Sequence, residues 1–289
     1  MQLPSVTIKQ LLEAGVHLGH KTFRWNPKMK KFIFGSKNSI HIIDLVQTLE
    51  MTNSALQEIY KCIQSGGKIL FVSTKKQATE AIANLAKDTS QFYVNHRWLG
   101  GMLTNWHTIS NSIKRLKKLS SDLKKENTGF TKKENLKMGI QRDKLERSLG
   151  GIADMKKIPD MIFIVDTNVE ELAVKEAIRL NIPIVAVVDT NSDPTGINFP
   201  IPGNDDARRA INLYCELIKQ TILDAQKNMS KAEVIEASPD IKIEEPKITT
   251  KKDKPKKEKT KKKEKVKTVK KISKTILSKV KSLTSKKTN

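Results

Sequence analysis

The sequence predicts an α/β fold in which a parallel sheet is covered by helices on both faces. Three segments carry that expectation: Lys68–Thr74 (KILFVST), Met161–Asp166 (MIFIVD) and Ile182–Asp189 (IPIVAVVD). Each is an apolar run of strand length ending in small polar residues, the composition of a strand buried on both faces. Helical spacing follows the first two, at Ala78, Ala81, Ile82 and Leu85 within Lys75–Asp88, and over Val169–Leu180. Strands that alternate with helices in this way imply parallel pairing through crossover helices.

The remaining elements fit around these. Leu45–Gln64 reads as a helix capped by Asp44, and Phe92 begins a short apolar strand that gives way to polar residues at Asn95. Asn105–Leu149 predicts a two-helix hairpin. Its leading half sets Ile109, Ile113, Leu116, Leu119 and Leu123 on one stripe, and its trailing half carries Leu136, Ile140, Leu145 and Leu149. Asn127, Thr128 and Gly129 supply the turn between them. A last helix runs from Asp205 to about Lys227, with Asp205 and Asp206 in its first turn, where carboxylates complement the helix dipole. The chain thus divides into a discontinuous α/β domain (1–104 and 150–230), an inserted hairpin (105–149) and a Lys-rich tail (231–289).

Charge distinguishes the parts. The 289 residues hold 54 Lys and Arg against 31 Asp and Glu, a net +23. Residues 231–289 contribute 21 Lys against eight acids, net +13, which leaves +10 for the rest. Basic excess of this size points to phosphate-bearing partners, because neutralising phosphates releases condensed counterions. The tail has no aromatic residue and is too polar to offset its chain entropy, so it reads as disordered when free. Ile272, Ile276, Leu277, Val280 and Leu283 recur at helical spacing, which admits a short basic helix formed on a partner. No apolar run reaches the roughly 18 residues of a membrane span, and Met1 to Lys9 is too polar for a signal peptide. The expectation is a soluble, intracellular protein with no membrane partner. Cys62 and Cys215 lack the paired spacing of a zinc site and read as buried thiols.

Catalytic machinery is not evident. Asp166 and Asp189 end two predicted strands, the place where open α/β sheets hold ligands and where carboxylates can bind magnesium. Neither a GxxxxGK[ST] loop nor a GxGxxG follows the first strand, and Asx turns in DTN and DTNSDP explain both aspartates. His17 and His20 form an H-x-x-H corner, too few ligands for a zinc site without help from residues such as Asp189 or Asp205. No metal and no cofactor is assigned.

Two stretches resemble RNA contacts. Lys21–Lys37 interleaves Lys21, Arg24, Lys28, Lys30, Lys31 and Lys37 with Phe23, Trp25, Phe32 and Phe34, and also carries Asn26. Cations beside flat rings suit phosphate and base together, the favoured reading over simple anchoring of an arm to the domain by the rings. In Phe92–Trp106, Asn95, His96 and Arg97 can bond phosphate or sugar, Trp98 and Trp106 read as packing residues, and Gly100 and Gly101 form a turn or allow close backbone approach. Lys75 and Lys76, beyond the first strand, and Lys114 and Arg115 on the hairpin complete the candidate RNA-binding set.

The strings GVHLGHKTFRWNPKMKKFIFGSKNSIHIIDL, KILFVSTKKQA, VNHRWLGGMLTNW, SLGGIADM and IVDTNSDPTGINFPIPGNDDARRAI occur in this order between Val6 and about Ala225. Together they resemble the bacterial small-subunit ribosomal protein S-two family. The resemblance implies a flavodoxin-like parallel sheet with an inserted hairpin and no enzymatic activity. It also implies a place on ribosomal RNA between head and body of the small subunit. Its partners would be neighbouring ribosomal proteins, among them the large mRNA-binding first protein of the subunit, rather than a second copy of itself. The long basic tail departs from the family pattern. It is expected to add salt-dependent, sequence-independent RNA affinity, testable by truncation after Ser230.

Overall fold

The computed structural model describes residues 4–124 and 131–236. All belong to the first of two units, 1–239 and 240–289, into which the chain divides. The hairpin turn at Asn127–Gly129 and the tail beyond Glu236 lie outside the described residues.

The core is a five-stranded, all-parallel sheet made of β4 (Ile69–Val72), β5 (Phe92–Val94), β6 (Met161–Val165), β7 (Ile184–Val188) and β8 (Phe199–Pro202), in the order β5-β4-β6-β7-β8. Counted along this sheet the order is 2-1-3-4-5, the flavodoxin-like arrangement. Side chains alternate across each strand and divide the core into two layers. Ile69, Phe71, Phe163, Val165, Val185 and Val187 face α2 (Leu45–Gln64), α3 (Thr79–Asp88) and α7 (Arg208–Glu236). Leu70, Val72, Ile162, Ile164, Ala186 and Val188 face α6 (Glu171–Arg179), the hairpin root and Met29 and Phe32. Both faces being buried is why these strands read as unbroken apolar runs. Each Val, Leu, Ile or Phe side chain among them, taken fully out of water, stabilises by about 1.5–3 kcal/mol.

The hairpin consists of α4 (Trp106–Asp122) and α5 (Lys132–Leu149). Ile109, Ile113, Leu116 and Leu149 are buried, as the stripe predicts, but Leu136 and Ile140 are 67% and 60% exposed because α5 leaves the sheet toward its N-terminal end. Asp44 caps α2 by accepting from the Val46 amide at 3.0 Å. Three helices begin later than their apolar spacing suggests: α3 at Thr79, α6 at Glu171 and α7 at Arg208. Asp205 and Asp206 therefore precede the last helix instead of forming its first turn, and Asn204 accepts from the Asp206 and Ala207 amides ahead of it. That helix also continues to Glu236, beyond Ser230.

Two features are additional to the sequence reading. The edge strand β8 contains Pro200 and Pro202, tolerable where, among the described residues, one side of the strand has no neighbour to bond. Before the main sheet, α1 (Ile8–Glu13) leads into a three-stranded antiparallel sheet of β1 (Leu18–Lys21), β2 (Ile33–Lys37) and β3 (Ile40–Ile43), in the order β1-β3-β2. The Lys21–Lys37 arm is thus a folded subdomain. It is pinned to the β7–β8 loop by the Asn26 amide donating to Thr190 O at 2.7 Å and the His20 amide donating to Thr190 Oγ1 at 2.9 Å.

Candidate nucleic-acid interface

The residues at the carboxyl ends of the parallel strands form one charged cluster. Lys75 follows β4, Asp166 follows β6, Asp189 follows β7, and Asp205 and Asp206 follow β8. The Lys75 ammonium lies 2.8 Å from a carboxylate oxygen of each of Asp166, Asp205 and Asp206. His20 reaches in from β1, its Nδ1 2.9 Å from Asp189 and its Nε2 3.5 Å from Asp206. Burial opposes the charge on Lys75, yet the carboxylates of Asp205, Asp166 and Asp206 outweigh it and raise the ammonium well above its ordinary range. Burial together with the charges of Asp166 and Asp189 pushes Asp205 up to about 7, against the pull of Lys75. The bond to Asp189 raises His20, with burial opposing.

This crevice is where doubly wound sheets receive ligands. Here it is filled by the chain's own groups, and four carboxylates disfavour a phosphate. The aspartates still have the turn roles read from sequence: Asp166 Oδ1 accepts from the Asn168 and Val169 amides, at 2.9 and 3.2 Å. Among the described residues, one group could close on a cation: His20, Asp189 and Asp205, whose ligand atoms lie within 4.8 Å of one another. Asp205 Oδ2 is buried there with no hydrogen-bond partner among the described residues, and with His20 it makes a nitrogen-and-oxygen donor set. His17 is outside this group, so the H-x-x-H pair is not the corner; the partners of His20 arrive from the ends of β7 and β8.

The candidate RNA contacts separate into outward and inward sets. Lys21, Arg24, Lys30, Lys31, Lys37, Lys76, His96, Arg97, Lys114 and Arg115 are exposed. Arg24 lies over the Phe23 ring at 5.6 Å rather than over Trp25, and Lys31 over Phe32 at 4.6 Å. Trp25 is 36% exposed and packs on His41, ring centroids 5.4 Å apart, whereas Phe23 and Phe34 are 73% and 80% exposed. Four candidates are engaged within the protein. Lys75 is held in the carboxylate cluster, the Asn95 side-chain Nδ2 donates to Thr79 O at 3.3 Å, and Asn26 Oδ1 accepts from the Lys28 backbone amide at 3.0 Å. Lys28 itself pairs with Asp193 at 2.6 Å; that bond, with those from Thr195, overcomes burial and holds the Asp193 carboxyl down to about 2.

Sequence reasoning passed over Glu176. It lies on the buried face of α6 between Ala173 and Ala177 and accepts from the loop that carries Trp98 and Gly101. The available signal was an acidic residue inside the apolar stripe of an amphipathic helix, which requires partners if it is to stay buried.

A family model described as Ribosomal protein S2 matches residues 11–225. The chain is 59% identical over 224 residues to the small ribosomal subunit protein uS2 of Sinorhizobium medicae, covering 78% of this chain and 88% of that one. It is 56% identical over 246 residues to the protein of the same name from Rhizobium leguminosarum bv. trifolii, covering 84% and 96%. With that of Parvibaculum lavamentivorans the identity is 53% over 247 residues, covering 84% and 98%. The last two alignments span nearly all of the relative and leave part of this chain unmatched.

Proposed function

The chain belongs to the ribosomal protein S2 family, and on that premise we propose that it is a structural constituent of the small ribosomal subunit in the cytoplasm, bound to ribosomal RNA between head and body. The observation that carries this reading is the match over residues 11–225 to a family whose relatives are named small ribosomal subunit proteins. The exposed arm of Lys21, Arg24, Lys30, Lys31 and Lys37 supports RNA as the partner, and Arg97, Lys114 and Arg115, exposed on either side of the Trp98–Thr104 loop in sequence, form a second candidate surface. Lys28 and Lys75 serve this surface indirectly, as internal ties. Docking of the large mRNA-binding first protein rests on the family resemblance, and co-purification of that protein with subunits containing or lacking this chain tests it.

An enzyme acting on a phosphorylated substrate at Asp166 and Asp189 is disfavoured, since Lys75 and His20 already occupy these carboxylates. Sedimentation with small subunits after a salt wash separates the two readings. The ribosomal reading requires the protein to stay with the subunit and to protect RNA at the head–body junction. Recovery only in the soluble fraction, with no protection, would sink it.

A further inference from the structure

Glu176 is buried, and its carboxylate receives five donors from one short segment. The Trp98 indole N–H and the Gly101 amide donate to Oε1 at 3.1 and 2.7 Å. The Leu103 amide, the Thr104 amide and the Thr104 hydroxyl donate to Oε2 at 2.9, 3.2 and 3.3 Å. A carboxylate has about four lone-pair sites, so this one is saturated. Burial opposes its charge, but the bonds from Leu103, Trp98, Thr104 and Gly101 outweigh that and hold it below the usual glutamate range. All five donors lie between Trp98 and Thr104, in the connection from β5 to α4, where Gly101 has φ +81°. Exposed His96 and Arg97 precede that segment, and the helix bearing Lys114 and Arg115 follows it.

We propose that Glu176 is the positioning residue of the second RNA-facing surface: from α6, its carboxylate fixes the one loop path that presents Arg97 on one side and the hairpin on the other. This rests on the reading that Arg97, Lys114 and Arg115 contact RNA. The bonds are charge-assisted and converge on one anion, so their geometry is set before RNA arrives and little ordering remains to be done on binding. Glu176→Gln keeps the shape but turns an NH2 group toward N–H donors, and the loop must then move.

The test uses the full chain, small subunits stripped of this protein, and three variants: Glu176→Gln, Arg97→Ala and Arg115→Ala. For Glu176→Gln the expected result is at least tenfold faster hydrogen exchange at Gly101, Leu103 and Thr104, with Met161–Val165 and Ile184–Val188 still protected. Subunit binding should weaken about tenfold, with loss of the RNA protection that Arg97→Ala and Arg115→Ala also remove and retention of protection owed to Lys21–Lys37. Wild-type exchange or wild-type protection in this variant overturns the proposal. Failure of the parent reading has a different signature: Arg97→Ala and Arg115→Ala then bind as the wild type does, and the positioning role falls with it. Should Glu176→Gln not fold, the unaltered protein decides. Common, slow exchange of the three amides supports a single clamp, and separate exchange at exposed-loop rates overturns it.

Discussion

Lys75 shows how a residue chosen for its charge can do something other than bind an external anion. Its side chain is 15% exposed and its ammonium bridges Asp166, Asp205 and Asp206 at the sheet's carboxyl edge. Removing one partner of a buried ion cluster leaves the others unpaired, which costs more than the cluster contributes as a whole. Lys75→Ala should therefore destabilise the folded unit by about 3–5 kcal/mol, measured by denaturant unfolding of the full chain; a destabilisation below about 1 kcal/mol would show that water reaches the carboxylates. The same cluster sets a pH dependence. Asp205, pushed up to about 7, keeps in the folded state a proton that an unfolded aspartate loses near pH ~4. Its contribution to stability accordingly falls as pH rises from roughly 4 to 7. His20, raised above 6.5, adds stability that is fully present below the unfolded value and is lost as pH rises through the folded one. Both signs agree, so in chelator the protein should melt at a lower temperature at pH ~8 than at pH ~5.5, and Asp205→Asn should flatten the difference. A melting temperature that rises over this interval would contradict the assignment.

At the scale of elements, the β2–β3 hairpin turns at Asn38 and Ser39, both with positive φ, 53° and 60°. Two such residues make the type of turn whose twist matches the strands, but a serine there lacks the freedom of glycine. Ser39→Gly should raise stability by about 0.5–1 kcal/mol, read as a higher melting temperature; a decrease would mean that the serine side chain makes an interaction that outweighs its strain. The same turn explains why this sheet was not legible in the sequence. An Asn-Gly pair would have announced a hairpin, and Leu18–Lys21 (LGHK) offers no apolar alternation. By contrast β4, β6 and β7 were legible because burial on both faces leaves only apolar residues, and α2 was legible to the residue because Asp44 supplies its cap. The hairpin was read correctly as an element and incompletely as a surface: spacing places Leu136 and Ile140 on a stripe, but only packing decides whether anything covers it. Of the candidate site, the exposed lysines and arginines were recognisable by type. The inward turn of Lys75 was not, since it depends on three segments converging from positions up to 131 residues apart. Glycines of the SLGGIADM string have a comparable logic, because a Cβ on Gly151 would fall 2.1 Å from Tyr93 O and push the hairpin's exit off β5.

For the whole molecule, the net charge of +23 belongs to two parts of different composition. In the folded unit, many cations are already matched: Lys28 with Asp193, Lys75 with three aspartates, Lys117 with Asp154 and Lys219 with Asp88. What remains outward is arranged on fixed elements, the arm and the hairpin, which suits contacts of defined position. Beyond Glu236 the composition is different, with 20 Lys against six acids and no arginine. Lysine meets a phosphate as a point charge, without the planar fork that selects geometry, so it adds affinity and salt sensitivity without sequence preference. Because α7 continues to Glu236, the informative truncation is after that residue and not after Ser230, which would cut the helix. Deleting 237–289 should leave the melting temperature of the folded unit unchanged. The slope of log affinity against log salt for RNA should become less negative by about 0.7 for each single-strand phosphate that is no longer neutralised, or about 0.9 in a duplex. The preference for the cognate ribosomal RNA over an unrelated RNA of equal length should widen or stay constant, since the electrostatic attraction removed is common to both. An unchanged slope would mean that these lysines do not meet phosphate in the complex, and a narrowed preference would mean that the tail reads sequence or shape.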